Sequence, residues 1–445
     1  MRTIRSRNKS LGLIELIAIA VGGMVGGGIF SILGISASMI GFLTPVAVII
    51  GGMIAMLAAY SYVKLGVYYK DEGATYSFVK RTFPNKHIAT AIIGWYVIFG
   101  YISTLSLYAY TFASYAISNS VYANDVWMRK IVAWSIIAVF TFINLWSVKG
   151  MGKIEDLMVY TKLIILLVVS ILLMQHGQTG FDRFVNQMLY DAEKAKLLHI
   201  LIVASITFVA YEGFQLVINA VNEMTRPEQN IPRAIYGAIL LVITIYVVIA
   251  LGALFAIPLQ NLIRDKEYAL AAGASQAIGQ IGKNLVIFSA VLATSSAISG
   301  TVFGSSRQLA VIAQDNLMPE FLAKRNRQNI PVNALITMAV LASLLILAGG
   351  LRLILEFGSI TFLLVSLLMA VTNYTIRDKT GSTTATTILA IVGLSVGAIL
   401  ILYYELTRKW EQMTFILVIY LILSLLAWFY ARRKEKTEKN INDDC

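Results

Sequence analysis

The amino-acid sequence predicts an all-α integral membrane protein with about twelve transmembrane helices. Hydrophobic residues make up 58% of the 445 residues, charged residues make up 13%, and the mean hydropathy is +0.74. This composition is far more apolar than that of an ordinary soluble domain. Apolar runs of about 20 residues recur along the whole chain, and each run is long enough to cross a bilayer.

The predicted spans follow one another along the whole sequence. Their approximate limits are 14–38, 43–69, 88–118, 128–149, 154–176, 198–222, 233–257, 284–313, 332–350, 356–376, 384–405 and 411–431. Lysine and arginine place both termini in the cytoplasm, because about two dozen then lie on the cytoplasmic side and about eleven outside. The net charge of +12 therefore indicates topology and contact with anionic lipids rather than nucleic-acid binding. We expect a multi-pass protein of the cell membrane, plasma or inner.

Several functional classes are disfavoured by what the sequence lacks. No small-residue cleavage site follows the basic N-terminus, so no removable signal peptide is predicted. Cys445 is the single cysteine, and His87, His176 and His199 have no metal-ligand spacing. The sequence has no phosphate-binding loop and no clear nucleophile–base pair. We therefore expect no enzyme activity, cofactor or metal, and transport that draws on existing gradients or on exchange.

Two predicted spans are interrupted at their centres. The stretch VGGMVGGGIF, residues 21–30, has five glycines in ten residues, and each weakens a helix by roughly 1 kcal/mol relative to alanine. Span six carries Glu212 and Gly213 in its middle. Glycines in one span could serve close helix packing alone, but paired weak points favour an inverted-repeat secondary transporter. Amides freed at such breaks suit a carboxylate and freed carbonyls suit an ammonium, which together recognise an α-amino acid.

Four stretches of the sequence carry a family resemblance. They are AVGGMVGGGIFSILG in span one, DEGATYSFVKRTF after span two, FVAYEGFQLVINAVNEMTRPEQNIPRAI from span six to seven, and QDNLMPEFLAKRNRQNIPVNAL after span eight. Together they resemble the amino acid–polyamine–organocation (APC) superfamily, in its amino acid permease branch. The resemblance implies the leucine-transporter fold, in which two intertwined inverted repeats of five helices are flanked by two peripheral helices.

This resemblance also implies how the chain is divided. The expected parts are a cytoplasmic N-terminal segment 1–13, a first repeat 14–176, a second repeat 198–376, two peripheral helices 384–431 and a charged cytoplasmic tail 432–445. We expect the tail to be disordered because it is rich in charge and poor in apolar residues. The segment KDEGATYSFVKRTFPNK is amphipathic and is expected to lie along the cytoplasmic face.

The resemblance further implies a substrate site at the two breaks. The amides expected to hold the substrate carboxylate are those of Gly26, Gly27 and Gly28. The carbonyls expected to hold the ammonium are those of Met24, Val209, Ala210 and Glu212. An aromatic lid is usual in the family beside the span-six break. Val209 occupies that position here with Phe208 next to it, so both are candidate gate residues.

Lys162 is the most informative charged residue within a span. It lies about eight residues into span five, roughly 12 Å from the helix start, where a lysine costs a few kcal/mol. Its stem can snorkel to the interface, or its ammonium can stand where sodium-driven relatives bind a cation. In the second interpretation it bridges the Gly22 carbonyl and hydroxyls such as those of Thr294 and Ser295. Proton exchange at such a buried lysine would couple to movement of spans one, five and eight.

Glu212 is the other intramembrane charge singled out by the sequence. It is either neutral and hydrogen-bonded to freed backbone, or a carboxylate that meets a cationic substrate group or relays protons. Arginine-handling relatives often carry an acid where this chain has Gln215, which weakens an arginine-exchanger interpretation. Tyr101, Tyr108 and Tyr211 are further candidates to approach the pocket.

The sequence thus predicts a secondary active amino acid transporter that is proton-coupled, sodium-independent and works by alternating access. Its expected partners are a small amino acid, a proton and membrane lipids, and we expect a monomer or loose oligomer without nucleic acid. An obligate exchanger of amino acids or polyamines is an alternative. A channel or nutrient-sensing receptor on the same scaffold is an alternative from another class.

Overall fold

A computed structural model describes residues 11–146, 151–177, 179–265, 268–327 and 330–443. Within these ranges the regular structure is helical, apart from one isolated parallel bridge between Leu11 and Met224. Most of the predicted N-terminal segment and Cys445 lie outside the described residues, as does the end of predicted span four.

The helices of the first half of the chain are α1 (Leu13–Met24), α2 (Gly28–Ile40), α3 (Thr44–Tyr69), α4 (Ala74–Thr82), α5 (His87–Ala116), α6 (Val126–Trp146) and α7 (Met151–His176). The second half begins with α8 (Phe181–Lys194), α9 (Leu197–Thr207), α10 (Leu216–Asn219), α11 (Pro227–Ala256), α12 (Leu259–Arg264), α13 (Ala269–Ile278) and α14 (Gln280–Gln314). It continues with α15 (Val332–Ala348), α16 (Leu351–Thr375), α17 (Arg377–Thr380), α18 (Thr384–Arg408) and α19 (Trp410–Asp443). Short 3₁₀ turns lie at Gly41–Leu43, Phe208–Tyr211 and Glu320–Ala323.

These helices account for the predicted number of membrane crossings. Ten stretches of the described chain are long and apolar enough to span a bilayer. One of them, Gly28–Tyr69, turns back at Gly41–Leu43 and therefore contains two helices, α2 and α3. The apolar helix α15 is shorter, at 17 residues. Pairing α1 with α2 and α9 with α10 gives twelve crossings, which confirms the all-α membrane fold predicted from the sequence.

The centre of the bundle is built around α5, which packs against both α14 and α16. The helix α11 packs against α3 and α7, and α1 packs against α11. The most apolar window of α16 is 78% buried inside the protein, whereas that of α19 is 22% buried. The side chains of α19 therefore face mainly outward, as expected for a peripheral helix in lipid.

The charged tail is helical, which corrects the expectation of disorder. The helix α19 continues from its apolar part to Asp443. The added segment, ARRKEKTEKN, is rich in lysine, arginine and glutamate, which all have high helix propensity. Propagation from an existing helix avoids the cost of nucleation. The tail is therefore helical here, although its composition alone predicts disorder.

Two of the motif stretches quoted above contact each other. The helix α4 carries Tyr76 and Lys80, whose hydroxyl and ammonium both donate to Asp315, directly after α14. The indole of Trp95, on α5, donates to the Leu317 carbonyl at 3.0 Å. These bonds hold the amphipathic segment and the end of α14 together on one side of the bundle.

Candidate functional site

The first interrupted span is broken where the glycines predicted it. The helix α1 ends at Met24, and Val25 leaves the helical region with φ −82° and ψ 69°. The Gly26 amide donates to the Met24 carbonyl at 2.9 Å, and α2 begins at Gly28. The break is buried within the bundle rather than exposed to lipid.

The glycines of this break are required by close packing. A Cβ atom on Gly26 would lie 2.6 Å from the Tyr108 ring, and one on Gly27 would lie 2.8 Å from Thr111 Oγ1. A Cβ atom on Gly28 would lie 2.7 Å from the Ala210 Cβ atom in the other broken span. These separations are well below normal van der Waals contact. Any larger residue would therefore push the break away from α5 or from span six.

The second interrupted span does not resume as a regular helix. The helix α9 ends at Thr207, a 3₁₀ turn covers Phe208–Tyr211, and Gly213 adopts φ +128°, a conformation that favours glycine. A Cβ atom on Gly213 would lie 2.5 Å from the Gly23 carbonyl carbon. The two breaks therefore meet backbone to backbone.

The amides predicted to hold a carboxylate differ in their hydrogen bonds within the protein. The Gly26 amide donates to the Met24 carbonyl and so already has an acceptor within the break. Gly27 is the N-cap and Gly28 the first residue of α2, where helix geometry leaves amides without an internal partner. The first helical amide bonded back across the turn is that of Ser31, which donates to the Gly27 carbonyl. The N-terminus of α2 is thus the end that suits an anionic group.

The carbonyls predicted to hold an ammonium converge on a group that the sequence did not reveal. The Tyr246 hydroxyl, on α11, lies 2.7 Å from the Met24 carbonyl oxygen and 3.0 Å from that of Ala210. A hydroxyl donates one hydrogen, so it does not satisfy both carbonyls fully. The Val209 carbonyl instead accepts the amide of Glu212 at 3.2 Å. Met24 and Ala210 therefore face a common point, whereas Val209 is engaged in its own turn.

Replacing Tyr246 with phenylalanine is expected to lower transport by about fivefold, because one buried hydrogen bond is worth about 1 kcal/mol. The change removes the hydroxyl shared by the two breaks and keeps the ring, which lies 5.4 Å from that of Tyr211. The initial rate of radiolabelled amino acid uptake into proteoliposomes measures the effect. Tyr420→Phe is the matched control, since its hydroxyl bonds Thr361 of α16 rather than a carbonyl of either break. Equal losses in both variants would contradict a role of Tyr246 in the site.

Glu212 lies at the second break, with its side chain only 2% exposed. Gln215 donates to its Oε2 atom at 2.8 Å and accepts the Gly213 amide at 3.0 Å, so this glutamine clamps the turn. The Oε1 atom of Glu212 has no hydrogen-bond partner among the described residues. The side chains of Tyr101 and Tyr108 lie close to this carboxyl group. A buried acidic group, one of whose oxygens has no partner in the described part of the chain, therefore lies at the second break.

The two candidate gate residues are buried and packed. Phe208 is 0% exposed and Val209 is 2% exposed. A Cβ atom on Gly358 of α16 would lie 3.1 Å from a methyl group of Val209, so Val209 packs against α16. Of the tyrosines, Tyr108 donates to the Gly23 carbonyl at 2.9 Å, whereas Tyr211 donates to the Val48 carbonyl on α3. Tyr108 thus lies at the first break.

The Lys162 side chain is fully buried and connects three helices. Its ammonium donates to the carbonyl of Gly22 at 3.2 Å, to that of Val25 at 2.6 Å and to Ser296 Oγ at 2.9 Å. The first two lie at the end of α1, and Ser296 lies on α14. The ammonium therefore ties α7 to the first break and to α14, the geometry that the second interpretation of this lysine requires.

The structure adds a hydroxyl that the sequence did not single out for Lys162. Thr294 donates to the Ala290 and Val291 carbonyls of its own helix, at 2.7 and 3.2 Å. Ser296, one residue beyond the predicted pair Thr294 and Ser295, provides the oxygen for the ammonium. Successive helix residues point about 100° apart, and the sequence does not fix the rotation of α14 about its axis.

In the part of the chain that the structure describes, twelve crossings with two broken spans packed break to break are typical of inverted-repeat membrane transporters. The chain belongs to the amino acid permease family of the APC superfamily, since the model of that family, described as amino acid permease, matches residues 11–442. Membership supports amino acid transport by a multi-pass membrane protein.

Relatives from distant organisms are similar over most of their length. The inner membrane transport protein YbaT of Escherichia coli is 28% identical over 432 residues, which cover 96% of this chain and 97% of that protein. An uncharacterized protein of Methanocaldococcus jannaschii is 29% identical over 405 residues, 90% of each chain. The large neutral amino acids transporter small subunit 2 of Oryctolagus cuniculus is 25% identical over 373 residues, 81% of this chain and 69% of that one.

Proposed function

We propose that this chain is a proton-coupled, sodium-independent amino acid transporter that works by alternating access. The observation that carries the proposal is the direct packing of the two breaks, with Gly28 against Ala210 and Gly23 against Gly213. Binding at the breaks would join the two halves 14–176 and 198–376, whose relative movement changes the side from which the site is reached. In this proposal both termini face the cytoplasm of a cell membrane protein.

The backbone of a free amino acid fits the two ends of the site. Its carboxylate would lie at the N-terminus of α2, near the Gly27 and Gly28 amides, where the helix dipole favours an anion. Its ammonium would lie near the Met24 and Ala210 carbonyls, in place of or beside the Tyr246 hydroxyl. The relative of Oryctolagus cuniculus is named for large neutral amino acids, which supports a zwitterionic substrate for this chain.

Proton coupling without sodium is supported by the surroundings of Lys162. Two backbone carbonyls and one hydroxyl surround its ammonium, and such oxygens are also ligands for an alkali cation. A fixed positive charge at this point disfavours a second cation. Loss of the lysine proton would remove a donor between α7, α1 and α14, which links the proton to the first break.

Uptake by the purified chain in proteoliposomes tests this proposal. Vesicles without internal amino acid are exposed to radiolabelled amino acids, with and without an inwardly directed proton gradient, in sodium and in choline buffers. We expect accumulation that increases with the proton gradient and does not change when choline replaces sodium. A competition panel of unlabelled amino acids and polyamines then identifies the substrate class.

Each alternative gives a different result in the same vesicles. An obligate exchanger accumulates label only when the vesicles are preloaded with substrate. A channel gives a flux of amino acid that is independent of the proton gradient. A receptor binds the amino acid without transporting it. Any of these outcomes, or a strict requirement for sodium, would overturn the proposal.

A further inference from the structure

Two buried glutamates lie on neighbouring helices at the end of the bundle where α2 ends. Glu356 lies in the second turn of α16 and Glu405 in the last turn of α18, and both are 0% exposed. The two helices pack against each other, and Arg352 bridges them, because it bonds both Glu356 and the hydroxyl of Tyr404, the residue before Glu405. The Oε2 atom of Glu356 and both carboxyl oxygens of Glu405 have no hydrogen-bond partner among the described residues. Oxygens buried in this way require a donor.

Among the described residues, one positively charged side chain donates directly to this pair. Arg352 donates to Glu356 Oε1 at 2.6 Å and to the Tyr404 hydroxyl at 2.7 Å. Lys409 follows Glu405 by one helical turn and adds a positive charge from the partly exposed end of α18. Two carboxylates against one contacting guanidinium leave a buried negative charge, which costs several kcal/mol. One proton shared by the two carboxyl groups removes that charge and supplies the missing donor.

The helices α3 and α9 pack against both α16 and α18, and α19 packs against α18. The helix α5, whose Tyr110 lines the cavity described below, packs against α16. The half of α3 that begins at this end, 44–57, contains no titratable residue in the sequence, α9 contains His199, and α19 begins with Glu411 nearby. In the described ranges no three His, Cys, Asp or Glu side chains come together as metal ligands. Two carboxyl groups are too few for an oxygen-coordinated metal ion and suit a proton better.

A cavity lies beside Arg352 at this end of the bundle. It has a volume of about 220 Å³, and its lining includes Ile35 and Ser38 of α2 together with Gly350, Leu351 and Arg352. The Arg352 side chain is 27% exposed there, and one guanidinium nitrogen lies 3.9 Å from the sulfur of Met39 on α2. Arg352 therefore lies between the cavity and Glu356.

We propose that Glu356 and Glu405 form a proton-binding site, which holds one proton between α16 and α18 and exchanges it through the cavity beside Arg352. The site is separate from Lys162 and from the breaks, and it does not depend on which solute is carried. Release of the proton brings two carboxylates into contact and weakens the packing of α16 on α18. With the predicted orientation, the site faces the outside of the cell.

Infrared difference spectroscopy of the purified full-length chain tests this site without any transport measurement. Spectra of acid-equilibrated and alkali-equilibrated protein are recorded for a parent protein and for its variants Glu356→Gln, Glu405→Gln, the double variant and Glu411→Gln. All are made in a Glu212→Gln background, so that the other buried acid does not contribute. Both site substitutions keep the size of the side chain, and Glu411→Gln is a matched control on the exposed start of α19.

Above the pH range in which exposed carboxyl groups titrate, we expect the background protein to show a titrating carboxylic acid carbonyl band with the intensity of one group. Either single substitution removes the whole band: Glu356 alone keeps its bond to Arg352, and Glu405 alone becomes the one carboxylate beside the guanidinium that Glu356 has released. The double variant loses no more. Glu411→Gln retains the band, and sodium in place of choline does not shift its titration. Absence of the band, its survival in either single variant, or displacement by sodium would each overturn the proposal.

Discussion

Replacing Lys162 with alanine is expected to abolish the dependence of uptake on the proton gradient while leaving a folded protein. The three hydrogens of the ammonium are placed on Gly22, Val25 and Ser296. Hydrogen bonds to a charged group contribute about 1.5–3 kcal/mol each, so losing even one predicts at least a tenfold slower initial rate. The measurement is uptake into proteoliposomes at several external pH values with a fixed internal pH.

The matched control for this change is Lys130→Ala. Lys130 also donates to a carbonyl of another helix, Leu347 at 3.0 Å, but it lies at an exposed position on α6. We expect this variant to retain both the rate and the pH dependence of the wild type. If Lys162→Ala retains its pH dependence at an unchanged rate, Lys162 is structural and the proton enters the cycle elsewhere.

The breaks and Lys162 could be recognised in the sequence because glycine runs and charged residues are both unusual within a membrane-spanning helix. Consecutive glycines at residues 26–28 weaken one helix, and a charge at depth requires partners, so both stand out in an apolar run. The contact with Gly22 was implied by the resemblance to the family rather than by the residues themselves, and the ammonium of Lys162 donates to that carbonyl at 3.2 Å. Features such as a glycine run or a charge within a span can be recognised from the sequence without the tertiary structure.

The remaining contacts depend on how whole helices are rotated and packed. Ser296 differs from the predicted Thr294 and Ser295 only by the rotation of α14. Tyr246 is one of many tyrosines, and only the fold brings its hydroxyl to both breaks. Glu405 could have been singled out in the sequence as an acidic residue near the end of a span. Its neighbour Glu356 on α16 could not, because tertiary packing brings the two buried residues together.

Replacing Gly27 with valine is expected to abolish amino acid binding. The first added atom would lie 2.8 Å from the oxygen of Thr111, a side chain held in place by bonds to Ser31 and to the Leu107 carbonyl. Valine therefore has to displace the N-terminus of α2 and fill the space beside its amides. Loss of one or two charge-assisted hydrogen bonds to a carboxylate predicts a weakening of at least tenfold. Equilibrium binding of the radiolabelled substrate to purified protein measures it.

Two further variants separate blocked binding from general damage. Gly237→Val places the same side chain on α11, where the first added atom meets Ile17 at 3.7 Å, an ordinary contact, so binding is retained. Gly27→Ala adds only the clashing atom and is expected to bind with intermediate affinity. Thermal unfolding of all three variants shows whether the bundle is intact. Wild-type affinity in Gly27→Val would show that the substrate carboxylate does not bind at the N-terminus of α2, because the two methyl groups of valine would occupy the space beside the amides.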